Sequence, residues 1–151
     1  MRSPTQTDLA ALRSAAEAWL GTPFADNSAV RGAGVCCHLL PVAIYRDAGW
    51  LPYIAAVPHG PAGWAAAHGR GIMEPWLDHG PGARWFAPVP CAQPGDLLGF
   101  RVGRCVHHLA VMMPDGGICH AVAQLGVVIA PDIPVIWRRR MLRIWRPRLG
   151  E

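Results

Sequence analysis

Three side chains in this chain have types and spacing that could do chemistry together. Cys37 lies in Gly34-Val35-Cys36-Cys37-His38-Leu39-Leu40, at the expected start of an apolar helix. A helix N-terminus lowers a thiol's pKa, because free backbone N–H groups and the helix dipole stabilise the thiolate. His108 opens the run His108-Leu109-Ala110-Val111-Met112-Met113, and His120 follows the turn Pro114-Asp115-Gly116-Gly117. If those runs form a hairpin, both histidines face one side and the cysteine helix packs against it. A histidine within reach of the thiolate makes an ion pair, and a second polar group orients that histidine. The expectation is a thiol hydrolase.

Each of these residues has competitors. Cys36 adjoins Cys37, and neighbours on a helix point about 100° apart, so only one of the two faces the sheet. A free cysteine is most often a buried core residue. A Cys36–Cys37 disulfide would be strained and would disable the nucleophile. His107 and His108 point to opposite sides of a strand. Leu109, Val111 and Met113 share the face of His107, Ala110 and Met112 that of His108, and alternation leaves the choice open. Zinc is a further reading of Cys36, Cys37, His107, His108, Cys119 and His120, but the paired spacings usual for zinc ligands are absent. Gly32-Ala33-Gly34 lacks the Gly-Lys-Ser/Thr that completes a phosphate loop.

The elements that must position these residues follow from pattern. Residues 7–20 read as a helix capped by Thr7 or Asp8, with Leu9, Leu12, Ala16, Trp19 and Leu20 on one face and Gly21 as the stop. Residues 37–48 read as a second helix that buries Leu40, Ile44 and Tyr45 and ends at Gly49; Pro41 loosens its start. Residues 50–90 are rich in Trp, Pro and Gly, with short helices near 62–68 and 73–79, and read as an insertion, a lid or a cleft wall. Residues 96–102, 107–113, 117–123, 126–129 and 141–145 read as strands, with a hairpin turn at Pro114-Asp115-Gly116-Gly117. Helices first and a meander afterwards predict an α+β domain spanning 1–151, an antiparallel sheet backed by helices.

Composition bounds the function. With 52% apolar and 16% charged residues the chain can bury a core and disorder is not expected. All fourteen basic residues are arginine, six of them between Arg138 and Arg148, in a chain of net charge +4. Arg143 and Arg146 alternate with apolar residues as the solvent-facing positions of a strand, which is a simpler reading than a nucleic-acid patch. Five cysteines without a C-x-x-C spacing fit a reducing compartment better than a disulfide framework. The N-terminus has no signal-peptide core, and no stretch approaches the roughly 18 apolar residues of a membrane span. Cytoplasmic synthesis is expected, with any action outside the cell requiring a carrier.

Together these motifs resemble the NlpC/P60 family of papain-like cysteine peptidases, and most closely its branch of cell-wall peptidases from phage tails and gene transfer agents. The family's Leu-Gly-Thr-Pro-Tyr is matched by Leu20-Gly21-Thr22-Pro23-Phe24, and its Asp-Cys-x-Gly-Leu-Val by Cys36-Cys37-His38-Leu39-Leu40-Pro41. Tyr45-Arg46-Asp47-Ala48-Gly49 matches the end of its cysteine helix, and Pro94-Gly95-Asp96 its Pro-Gly-Asp strand. Its His-Val-Gly-Ile is matched by His108-Leu109-Ala110-Val111, and its Ile-His-Ala by Ile118-Cys119-His120-Ala121. The order covers residues 9–146. The resemblance implies a papain-like fold and a Cys37–His108–His120 triad, with no cofactor and no metal. It implies the peptide stems of bacterial peptidoglycan as substrate and phage-tail-like proteins as partners. Phe24, Cys36, Leu39 and Pro41 depart from the pattern around the nucleophile. An inactive or weakly active structural tail-tip component of the same fold is the alternative.

Overall fold

The computed structural model describes residues 1–54, 57–60 and 71–150. Helix α1 (Gln6–Ala18) begins at Thr5, whose hydroxyl accepts from the Asp8 amide while the Asp8 carboxylate accepts from the Thr5 amide. This reciprocal cap satisfies two amides that the first turn leaves open, so it prevails over Thr7 or Asp8 as the cap. Leu12, Ala16 and Trp19 are buried as expected, whereas Leu20 is exposed. A two-stranded ladder, β1 (Ala29–Val30) with β2 (Gly34–Val35), leads to helix α2 (Leu40–Asp47).

Helix α2 starts three residues later than the sequence pattern suggests. Pro41 falls at its second position, where a missing N–H costs no helical hydrogen bond. A turn over Cys37, His38 and Leu39 precedes it, closed by the Leu40 amide on the Cys36 carbonyl at 3.1 Å. Leu40, Ile44 and Tyr45 are fully buried. The Trp19 indole N–H donates to Asp47 at 2.8 Å, joining α1 to α2, and the Tyr45 hydroxyl donates to the Gly95 carbonyl at 2.9 Å. Gly95 has φ +93°, and a Cβ there would collide with the Trp50 ring, so this turn requires glycine.

In the 50–90 segment, the short helix expected near 73–79 is α3 (Met73–Asp78); the one near 62–68 lies outside the described residues. A 3₁₀ turn (Pro81–Arg84) then leads into β3 (Phe86–Pro88). Five further strands, β4 (Leu97–Val102), β5 (Cys105–Met112), β6 (Ile118–Val122), β7 (Gly126–Ala130) and β8 (Met141–Pro147), match the five expected runs to within a few residues. With β3 they form one antiparallel sheet in the order β3-β8-β4-β5-β6-β7. A short helix, α4 (Val135–Arg138), lies in the connection from β7 to β8.

The sheet has two covered faces. Leu109, Val111, Cys119 and Ala121 share one core with Leu12 and Trp19 of the α1 region and Leu40 and Ile44 of α2. Leu98, Phe100, Ala110 and Ile118 form a second core with Ile133, Trp137 and Met141. Arg143 and Arg146 are not simply solvated. Arg143 bonds Asp78 through two nitrogens at 2.8 Å each and Glu74 at 2.9 Å, tying β8 to α3. Arg146 clamps the Asp96 carboxylate with bonds of 2.9 and 2.8 Å. No helix is long and apolar enough to cross a membrane among the described residues.

Candidate active site

The hairpin that carries the histidines forms as the sequence suggests. Met113 and Gly117 close the turn with an amide–carbonyl bond of 2.8 Å, and Gly116 takes φ +94°. Val111 pairs with Cys119 and Met112 with Ile118, so the register places His120 across from Ala110, two residues along from His108. That diagonal is within reach of two rings on one face. His108 Nε2 and His120 Nδ1 are 2.7 Å apart, a hydrogen bond in which one nitrogen carries the shared proton. Their rings stand at 69° to each other, with centroids 5.0 Å apart.

His108, not His107, is the partner of His120. The β4–β5 register passes from Phe100–His108 to Arg101–Val106, so His107 is the extra residue of a bulge. This bulge brings the His107 carbonyl to the Cys37 thiol, which donates to it at 3.4 Å. Both histidine rings lie on the Phe100–Trp137 face of the sheet, while α2 packs on the opposite face. The structure therefore unites His108 with His120, and sets the Cys37 thiol on the main chain of the residue before His108.

Electrostatics follow burial. Cys37 is 4% exposed, and its thiol is pushed up to about 12, mainly by burial, then by Cys36; the Leu109 amide opposes this. The lowered thiol pKa expected from a helix start is overturned here. Cys37 precedes the first turn of α2 proper, and desolvation outweighs the amides. Burial, then the neighbouring His120 and His107, holds His108 well below the ordinary imidazole value, and burial takes His120 down to about 4. At neutral pH the resting site holds a thiol and neutral imidazoles, not an ion pair.

Cys36 does different work. Burial raises its thiol, while the amides of Leu39, His38, Asn27 and Ser28 oppose that rise, and its sulfur lies 3.4 Å from His38 Nδ1. It occupies the place from which a cap receives the first amides of a helical turn, a role suited to the aspartate of the resembled motif. Phe24 makes a bridge to Val35 beside this turn. Among the described residues no three histidine, cysteine or carboxylate groups converge on a metal position. Cys119 faces the α2 side and His120 the other, so these two side chains do not share a face.

The sequence reading missed Trp137 and Phe100. Trp137 lies flat on His108, with centroids 4.2 Å apart and planes at 22°, and Phe100 stands 5.8 Å from the same ring. No local signal points to Trp137, because it reaches the site from a crossover rather than from a patterned element.

No protein-family model matches the sequence, and no curated protein sequence matches it significantly. Solved structures do match. An NLP/P60 family protein described as similar to lipoprotein, from Staphylococcus aureus, superposes with a TM-score of 0.62 at 18% identity, over 96% of this chain and 43% of that one. An NlpC/P60 family protein from Bacillus cereus gives 0.62 at 23% identity, over 99% of this chain and 42% of that one. This chain has the NlpC/P60 fold. The NlpC/P60 domain of the peptidoglycan hydrolase SagA gives 0.53 at 19% identity, over 95% of this chain and 98% of that domain. The chain spans less than half the length of the first two proteins and almost all of the isolated NlpC/P60 domain.

Proposed function

We propose that this chain is a cysteine peptidase or amidase that hydrolyses peptide stems of bacterial peptidoglycan, with Cys37, His108 and His120 as its catalytic residues. The observation that carries this reading is the His108–His120 bond of 2.7 Å, formed one residue from the backbone carbonyl that holds the Cys37 thiol. His120 fixes Nε2 of His108, which leaves Nδ1 to take the thiol proton as sulfur attacks the scissile carbonyl. The Cys37 amide stabilises the oxyanion. His108 then passes its proton to the leaving amine, and water, deprotonated by the same ring, releases the acyl group from sulfur. For this chemistry the thiol exchanges its bond to the His107 carbonyl for one to His108. Delivery on a phage-like tail is the route to the wall that the sequence resemblance suggests.

A specific observation favours a second reading, a structural component of the same fold with little catalysis. The thiol is buried, bonded to a carbonyl and raised to about 12, so it rests unactivated.

One experiment separates the two. Diaminopimelate-type sacculi are incubated with the parent and with Cys37→Ala, and soluble fragments are identified by mass spectrometry. Stem-peptide fragments from the parent alone support the hydrolase. Intact sacculi with both proteins support the structural reading.

A further inference from the structure

The strand order forces the β7–β8 connection to travel from the edge of the sheet back across β6, β5 and β4 to reach the slot between β3 and β4. Residues 131–140 make that crossing and bring α4 over the face that carries the two histidines. Trp137 meets one ring on each strand it crosses. It lies edge-on to Phe100 of β4 at 5.6 Å and 66°, flat on His108 of β5 at 4.2 Å and 22°, and edge-on to His120 of β6 at 6.1 Å and 86°. The Arg140 guanidinium stands 6.0 Å from the Trp137 ring centroid.

A single hydrogen bond fixes one atom of an imidazole and leaves the ring free to swing about that point, because its χ2 well is broad. The bond to His120 fixes Nε2 of His108 in this way. A flat aromatic stack on the ring face removes the remaining swing, and offset stacks of this kind add about 0.5–1.5 kcal/mol beyond area burial.

We propose that Trp137 is a positioning residue of the hydrolytic site, holding the plane of His108 so that Nε2 stays on His120 and the ring keeps one orientation for proton transfer. The proposal rests on the reading of Cys37, His108 and His120 as a hydrolytic triad. The stack also keeps water off one face of His108, in keeping with a ring that burial holds neutral.

The test compares the parent with Trp137→Leu, which keeps apolar bulk without a ring, and with Trp137→Phe, which restores a stack. Two readouts are taken: kcat and KM against pH on a stem peptide, and the ¹⁵N titration and tautomer shifts of the His108 and His120 rings. In Trp137→Leu, kcat is expected to fall about 10- to 100-fold with KM within about threefold. The His108 titration moves up by about one pH unit, and its two nitrogens become less distinct. Trp137→Phe recovers kcat to within about threefold of the parent. Parent-like titration and tautomer shifts in Trp137→Leu overturn the proposal. So does a raised KM at unchanged kcat, which marks Trp137 as a substrate contact. A parent that cuts no stem peptide overturns the hydrolytic reading instead, and the ring titrations then decide the positioning alone.

Discussion

Lowering the pH from 7 to 5 should remove about 4 kcal/mol of folding stability, through buried histidines and not through carboxylates. His38 is 3% exposed and His120 is 3% exposed, and burial lowers each to about 4 from an ordinary 6.5. In the unfolded chain both bind protons as the pH falls through 6.5, whereas in the fold they stay neutral until about 4. The unfolded state therefore holds more protons between these values, and stability falls with falling pH. At pH 5 each group costs about 2 kcal/mol relative to a histidine with no shift, against about 0.2 at pH 7. Two groups give nearly 4 kcal/mol, and His108, shifted the same way, adds to this. The salt-bridged Asp78, whose carboxyl is lowered from 3.8, loses its contribution only below that value and adds little at pH 5. Urea melts at the two pH values read the difference directly. Stabilities at pH 5 and 7 that agree within about 1 kcal/mol would refute the reasoning, because they require these rings to be protonated or solvated in the fold.

Other outcomes follow from single contacts. Arg146→Met strands the Asp96 carboxylate, 1% exposed, without its two charge-assisted bonds, and should lower stability by about 3–5 kcal/mol in a urea melt. Gly126→Ala adds a Cβ against the Thr22 carbonyl at φ +78°, and should cost about 1–3 kcal/mol, read as a lowered melting temperature. Cys36→Ser keeps a small capping group and should retain stem-peptide hydrolysis within about tenfold, whereas Cys37→Ser should lose at least about 1,000-fold in kcat. Equal losses in the two serine variants would remove the distinction drawn between the neighbouring thiols.

Much of the fold was legible because it rests on local periodicity. The alternation in residues 97–147 and the Pro114-Asp115-Gly116-Gly117 turn gave the meander, and the apolar spacing gave α1 and the buried face of α2. The pairing of His108 with His120 was legible for the same reason, since both sit on one hairpin. What depended on long-range geometry was not. The bulge at His107 turns its carbonyl to Cys37, and a bulge leaves no mark in an alternation that already holds two adjacent histidines. Arg143 and Arg146 find carboxylates 65 and 50 residues away, beyond the reach of a strand pattern. The raised thiol pKa reflects burial that helix-terminus reasoning omits, and Pro41 moves the start of α2 past Cys37. Trp137 depends on the path of a crossover that only the strand order fixes.

The central claim is that Cys37 is the sulfur that takes the acyl group. The most direct measurement is acid quenching during turnover of a stem peptide, followed by peptide mapping of the protein by mass spectrometry. The account predicts an acyl mass on Cys37 that disappears in His108→Ala. Hydrolysis with the acyl mass on Cys36, or neither turnover nor adduct in the parent, would contradict it.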